Sequence, residues 1–75
     1  MNATMKYLVI IEKGPTGFGA YVPDLPGCVA VGDSEDDVKQ LIREAIDLHI
    51  EDLRGRGLPV PQPTTASEYV DAKVA

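Results

Sequence analysis

The spacing of apolar residues in the first third of the chain predicts a β-hairpin. Residues 5–13 (MKYLVIIEK) form a nearly continuous, β-branched apolar run between charges, as in a strand covered on both faces. Residues 14–17 (GPTG) carry proline second and glycine fourth, which is the preference of a type I turn. Residues 18–22 (FGAYV) then have Phe18 and Val22 on one face and Tyr21 on the other. These two runs are predicted to pair as antiparallel strands.

Residues 23–27 (PDLPG) interrupt the second strand before a third one begins. Pro23 and Pro26 have no N–H to donate to a strand ladder, so the second strand is expected to end there. Gly27 supplies the backbone freedom for the reversal, and residues 28–31 (CVAV) resume an apolar strand pattern. The predicted sheet is a three-stranded antiparallel meander.

Residues 34–57 (SEDDVKQLIREAIDLHIEDLRGRG) carry the clearest helical pattern in the chain. Ser34 is a strong N-cap residue, and Asp37 three positions later resembles the partner residue of a capping box. Acidic residues fill the first turn and arginines the last, which suits the dipole at both ends of the helix. Gly55 or Gly57 is expected to end the helix.

The apolar arc of this helix is wider than one packing surface requires. At about 100° per residue it covers roughly 200°, whereas a helix packed on a single core needs a stripe of about 100°. One face is predicted to pack on the sheet, and the remaining edge, with Ile46, Ile50 and Leu53, to contact a second copy or another protein. Because a 75-residue core is small, we expect a homodimer.

The C-terminal part predicts a connector followed by a strand. Residues 58–63 (LPVPQP) are typical of a rigid extended connector. Residues 67–75 (SEYVDAKVA) alternate between apolar and polar, which predicts a half-buried fourth strand. The order β-β-β-α-β describes an α+β fold in which one helix packs on an antiparallel meander. The length predicts a single domain over residues 1–75.

Charge and cysteine content narrow the class of protein. A formal net charge of −5 and a pI near 4.5 argue against nucleic-acid binding and favour a basic protein partner. Cys28 is the only cysteine, so the chain cannot form an internal disulfide. The apolar run near the N-terminus is too short for a signal peptide or a membrane span. We therefore expect a soluble cytoplasmic protein.

Two segments in a fixed order connect the chain to a known family. FGAYVPDLPGC (18–28) precedes the predicted helix and GLPVPQP (57–63) ends it. Together they resemble the HicB antitoxins of bacterial and archaeal toxin–antitoxin pairs, and the likeness runs from about residue 5 to the end. The resemblance implies a partial ribonuclease-H-like, HicB-like fold. It also implies a protein that binds HicA, a small basic mRNA-cleaving toxin, and covers its active site.

The family resemblance leaves alternatives open. Many HicB antitoxins carry a C-terminal helix-turn-helix or ribbon-helix-helix module, and these 75 residues contain no such pattern. Direct nucleic-acid binding is therefore not expected of this chain alone. A HicB-like interaction domain without a cognate toxin is one alternative, and a degenerate ribonuclease-H-like nuclease is another.

Catalysis is not expected from the residues themselves. A ribonuclease-H site needs a carboxylate inside the first strand, whereas Glu12, Asp24 and Asp33 lie at a strand end, in a turn and beside the helix cap. Cys28 and His49 are the only residues of their types, and nothing in the sequence brings them together for nucleophilic catalysis or zinc binding. We predict no catalytic residue, no metal and no cofactor.

Two surfaces are candidates for contact with a protein partner. The aspartate of the rigid turn is expected to accept hydrogen bonds from nearby backbone N–H groups, and the same turn can dock with Leu25 at its tip. The acidic helix face is either solvated or orients a basic partner. The candidate residues are Asp24, Leu25, Pro26 and Gly27 in the turn, and Asp36, Asp47 and Glu51 on the helix.

Overall fold

Two reversals fold the first half of the chain into a three-stranded antiparallel sheet. The computed structural model describes residues 4–75, and its strands are β1 (Ile10–Lys13), β2 (Phe18–Tyr21) and β3 (Val29–Gly32) in the order β1-β2-β3. The register pairs Ile11 with Ala20 on β2, and Ala20 with Ala30 on β3. The predicted meander is therefore confirmed, although β1 is shorter than the apolar run 5–13.

The two faces of the sheet differ in their cover. Ile11, Phe18 and Ala30 point toward the side on which a helix packs, and they belong to the core or contact it. On the opposite face, Tyr21 of β2 and Val29 of β3 form a cross-strand pair and are exposed. The alternation predicted for residues 18–22 is confirmed, with one face covered and the other open to solvent.

Helix α1 (Glu35–Gly55) begins and ends as its terminal residues predict. The Ser34 hydroxyl accepts a hydrogen bond of 3.1 Å from the Asp37 N–H, which satisfies one of the unpaired donors of the first turn. At the other end, Gly57 adopts a φ of 69° and its N–H donates to the Arg54 carbonyl. The Leu58 N–H donates to the Leu53 carbonyl at 2.9 Å, so the helix ends in a Schellman motif.

A glycine lets the start of α1 approach the sheet closely. A Cβ atom at Gly32, the last residue of β3, would lie 2.9 Å from the Val38 backbone nitrogen. No real side chain tolerates that distance to a rigid backbone atom, so this position requires glycine. Helix α1 makes its most extensive contacts with β3 for this reason.

The core lies between α1, the sheet and the turn that joins β2 to β3. Its fully buried apolar residues come from β2 and its end, the turn, the start of β3 and one face of the helix. In the described part of the chain they are Ala20, Val22, Leu25, Cys28, Val38 and Ile42. Leu25 and Val38 are both completely inaccessible and are the largest side chains buried in this way.

The predicted fourth strand is wrong. No strand is present between residues 56 and 75, and the side chains of residues 64–75 are exposed, including Tyr69, Val70 and Val74. The alternation of residues 67–75 indicates one apolar face, but that face carries only two valines and an alanine. Burying so little apolar surface does not offset the conformational entropy lost on ordering a strand. The described fold is α+β with three strands and one helix, so the ribonuclease-H-like assignment is not confirmed.

Removal of the Leu25 side chain is expected to destabilise the fold strongly. Leu25→Ala leaves a cavity at a fully buried site and is expected to cost about 2–5 kcal/mol of unfolding free energy. Leu48→Ala removes the same side chain from an exposed helical position and is expected to change stability by less than about 0.5 kcal/mol. Urea denaturation of both variants measures the difference, and equal losses would contradict the assigned burial.

Candidate partner-binding surface

The turn between β2 and β3 is a structural part of the core. Three backbone hydrogen bonds close it: Val22 N–H to the Cys28 carbonyl, Leu25 N–H to the Val22 carbonyl, and Cys28 N–H to the Leu25 carbonyl, at 3.0–3.2 Å. Gly27 supplies the left-handed φ of 86° that this path requires. The Leu25 side chain points inward and is 0% exposed, so its predicted place at the tip of a docking surface is wrong. Pro26 and Gly27 are exposed.

Asp24 accepts hydrogen bonds from the connector that follows the helix. Its carboxylate receives the Thr65 N–H at 2.9 Å and the Thr65 hydroxyl at 2.8 Å. The Thr64 N–H and hydroxyl add bonds of 3.0 and 3.1 Å. The predicted acceptor role is therefore correct, but the donors lie about forty residues later in the chain and not within the turn. We call this set the Asp24–threonine clamp.

A second contact fixes the connector near the same turn. The Tyr7 hydroxyl donates to the Pro61 carbonyl. Burial of the phenol, followed by the negative charge of Asp24, raises the pKa of Tyr7 above its usual value. The segment around residues 61–65 is thus held at two points against the start of the chain and the β2–β3 turn.

The clamp shifts the ionisation of its aspartate. The Thr65 N–H has the largest effect on the pKa of Asp24 and lowers it below the usual range, and the Thr65 hydroxyl and both Thr64 donors act in the same direction. Partial desolvation opposes them without reversing the shift. The carboxylate form is therefore the form that holds the connector.

The acidic helix residues form a separate, solvent-facing surface. Asp36, Asp47 and Glu51 are exposed. Asp47 follows the buried Val38 by nine residues, and at about 100° per residue this places it on the opposite side of the helix. These carboxylates therefore point away from the sheet, whereas the turn is part of the sheet side. The structure does not join the two sets of predicted residues into one site.

Two charge pairs lie on or beside this helix in the described residues. The Lys39 ammonium lies 2.9 Å from the Glu35 carboxylate, and this contact raises the pKa of Lys39. Arg56 pairs with Asp52 at 3.1 Å near the end of the helix. Both pairs are solvent-exposed and add little to stability. Their main effect is that Lys39 and Arg56 are each paired with a carboxylate of the same chain.

The apolar edge predicted for self-association has a different position. Ile46 and Ile50 pack against the core cluster of their own chain, and Leu53 is partly buried. The premise that these residues lie outside the core is therefore wrong for the two isoleucines. The large apolar side chains of α1 that are exposed are instead those of Leu41 and Leu48.

The single cysteine lies in surroundings that do not activate it as a nucleophile. Cys28 is a buried free thiol whose pKa is raised by that burial, the opposite of what a nucleophilic cysteine needs. Within residues 4–75, no three His, Cys, Asp or Glu side chains lie close enough together to hold a metal ion. No helix in that same range has both the length and the apolar composition needed to cross a membrane.

The Asp24–threonine clamp predicts a specific acid sensitivity. Because folding lowers the pKa of Asp24, its contribution to stability is complete above the usual carboxyl range, near pH 4, and is lost as pH falls through the lowered value. Asp24→Asn is expected to remove this part of the acid dependence of the melting temperature. The double variant Thr64→Val, Thr65→Val keeps both backbone donors and is expected to weaken the dependence without abolishing it. Identical acid profiles for all three proteins would contradict the clamp.

Comparisons with known proteins give consistent results. A chain of a solved complex, "HicA3 and HicB3 toxin-antitoxin complex", is 37% identical and superposes with a TM-score of 0.69, over 80% of this chain and 70% of that chain. An uncharacterised 14.9 kDa protein of Haemophilus phage HP1 is 33% identical over 89% of this chain and half of its own length. Antitoxin HicB 2 of Photorhabdus laumondii is 29% identical over 91% of this chain and 49% of its own.

The chain spans about half the length of these two curated relatives. The model of the HicB-like antitoxins of bacterial toxin–antitoxin systems matches residues 7–74, which include the sheet, the β2–β3 turn, the helix and the connector. The match thus covers both segments that suggested the resemblance. The chain belongs to the HicB-like antitoxin family.

Proposed function

We propose that this chain is an antitoxin that binds a HicA-like toxin and neutralises it by covering the toxin's active site. The observation that carries the proposal is the superposition on a chain of the HicA3–HicB3 toxin–antitoxin complex, at 37% identity. That level of identity over most of the chain supports a similar use of the fold. The toxin role of the partner is inferred from that complex and from the family.

The electrostatics of the chain suit such a partner. Twelve acidic residues against seven basic ones give a net charge of −5, and the helix carries most of the exposed carboxylates. Complementary charge speeds encounter with a basic protein and fixes its orientation more than it raises affinity. We infer a regulator that acts by binding and not by catalysis, in the cytoplasm where a toxin would meet mRNA.

Neutralisation is testable with a candidate toxin, defined as a small basic protein whose gene adjoins the gene of this chain. We expect its induction to arrest growth and co-expression of this chain to restore growth. With purified proteins, we expect cleavage of a defined mRNA to fall in proportion to added chain and to stop when the binding sites are saturated. Binding is measured separately by isothermal titration calorimetry.

One result would contradict occlusion alone, and another would contradict toxin binding altogether. Binding without loss of RNA cleavage would show that the toxin's active site remains open, so the occlusion step would be wrong while the partner assignment stood. A neighbouring protein that neither binds nor arrests growth would support the alternative of an interaction domain without a cognate toxin. Leu25→Ala serves as a destabilised control, because loss of core stability is expected to weaken binding and neutralisation together.

Self-association is a second part of the proposal. The core of the described residues is small, and large apolar side chains such as Tyr21 and Tyr69 remain exposed, so a homodimer would bury surface that the monomer cannot. We expect light scattering at about 50 μM to give a mass near twice 8.1 kDa. A monomer mass at that concentration would remove dimerisation from the proposal without affecting toxin binding.

A further inference from the structure

One side of the molecule carries exposed apolar residues from two different elements. On β3, Val29 and Val31 are 64% and 79% exposed. On α1, Leu41 and Leu48 are 40% and 66% exposed, and they share one side of the helix because seven residues nearly complete two turns. Val31 and Leu41 line the same shallow groove of about 350 Å³. We call these four residues and the groove the β3–α1 surface.

The backbone of β3 is open along this surface. At the β2–β3 junction the Val22 N–H donates to the Cys28 carbonyl, and in an antiparallel ladder hydrogen-bonded pairs alternate with non-bonded ones. Ala30 is therefore bonded to β2, whereas Val29 and Val31 direct their N–H and C=O groups outward. Since β3 is the last strand of the sheet, these groups form a free edge to which another strand can pair.

Carboxylates border the groove on its helix side. Asp33 and Asp37 line it directly, next to Leu41 and Gln40. Glu44 follows Leu41 by three residues and precedes Leu48 by four, so it lies on the same helix side and accepts a hydrogen bond from Gln40 at 3.3 Å. We call Asp33, Asp37 and Glu44 the acidic rim.

We propose that the β3–α1 surface receives an edge strand of the partner protein, with apolar and basic residues at alternate positions. Such a strand would pair with the outer edge of β3. Its apolar side chains would lie on the open sheet face beside Val29 and Val31. Its basic side chains would lie over Leu41 and Leu48, with their aliphatic stems on the leucines and their charges at the acidic rim. The identification of that partner as a toxin rests on the proposed function.

The distribution of charge favours a basic partner over a second copy on this surface. The two ion pairs among the described residues, Lys39–Glu35 and Arg56–Asp52, involve none of the rim carboxylates. A second copy packed here about a two-fold axis would bring two acidic rims together, and their like charges would repel each other. A basic strand meets the same carboxylates with opposite charge.

A peptide of defined sequence tests the surface without any toxin. The probe is acetyl-(Lys-Val)4-amide, and acetyl-(Glu-Val)4-amide is the matched control with the opposite charge. In ¹⁵N NMR spectra at about 1 mM peptide, we expect the basic probe to shift amide signals of residues 29–33 and 41–48 and the acidic control to leave them in place. Shifts confined to β1, or equal shifts with both peptides, would overturn the proposal.

Two triple variants locate the surface that a candidate toxin uses. D33N/D37N/E44Q neutralises the acidic rim, and D36N/D47N/E51Q neutralises the outer helix face with the same change in net charge. We expect the rim variant to weaken toxin binding about tenfold, mainly through faster dissociation. The outer-face variant is expected to slow association only, through the loss of long-range attraction. A larger loss of toxin affinity with the outer-face variant than with the rim variant would overturn the proposed surface. It would not contradict the proposed function, which is that the chain binds a toxin.

The double variant L41A/L48A distinguishes a partner strand from a second copy of the chain as the molecule bound at the β3–α1 surface. Leu48 is 66% exposed and Leu41 40% exposed, so we expect a folded protein with a slightly lower melting temperature, together with weaker binding of the toxin and of the basic peptide. If instead it converts a dimer to a monomer and leaves peptide binding unchanged, the surface belongs to a second copy and the proposal is wrong. Peptide binding at this surface without any toxin binding would support the surface and count against the proposed function.

Discussion

Packing of α1 against β3 and the β2–β3 turn is the contact on which the rest of the structure depends. Leu25 and Val38 are the largest completely inaccessible side chains in a core of six fully buried apolar residues in the described chain, so neither has a substitute. That contact requires the close approach that Gly32 allows, because any side chain there would strike the Val38 backbone. The position of the helix over β3, and with it the acidic rim beside the β3 edge, follows from this one constraint.

The Asp24–threonine clamp joins the connector that follows α1 to this arrangement. A connector with three prolines has few N–H groups to offer, and Thr64 and Thr65 are the first consecutive residues after it that can donate backbone bonds. Four hydrogen bonds to one carboxylate hold it at the turn, and Tyr7 holds it at Pro61. Beyond Thr65 the chain makes no comparable contact, which is consistent with the exposure of residues 66–75.

Local patterns predict the parts of this fold that depend on neighbouring residues in the sequence. Ser34 caps α1 and Gly57 ends it because both act through groups within a few positions. The pairing of β1 with β2 follows in the same way from the turn 14–17. The strand predicted for residues 67–75 is absent, because alternation shows that a strand could form but not whether another backbone pairs with it. Their exposure in this fold shows that periodicity alone does not determine a strand.

The candidate site was less predictable because it depends on contacts between distant segments. Nothing in the sequence near Asp24 identifies Thr64 and Thr65 as its donors. Leu25 stands between two prolines in a polar-looking turn, and only the closed backbone of that turn directs its side chain inward. The width of the apolar arc on α1 was a sound signal of surplus apolar surface, but it could not say which edge the sheet would cover.

Which part of the apolar arc of α1 the sheet covers, and which part it leaves exposed, connects the fold to its proposed use. The sheet has three strands in the described residues, and α1 lies over them so that Ile46 and Ile50 pack against the core while Leu41 and Leu48 are exposed. The uncovered edge is the one beside β3, where the backbone is also unpaired and the carboxylates have no cation from their own chain among the described ion pairs. An apolar strip, a free strand edge and unneutralised charge at one place are the complementary features that strand addition by a basic partner requires. The β2–β3 turn contributes Leu25 to the core on which α1 packs, so it supports this surface without forming part of it.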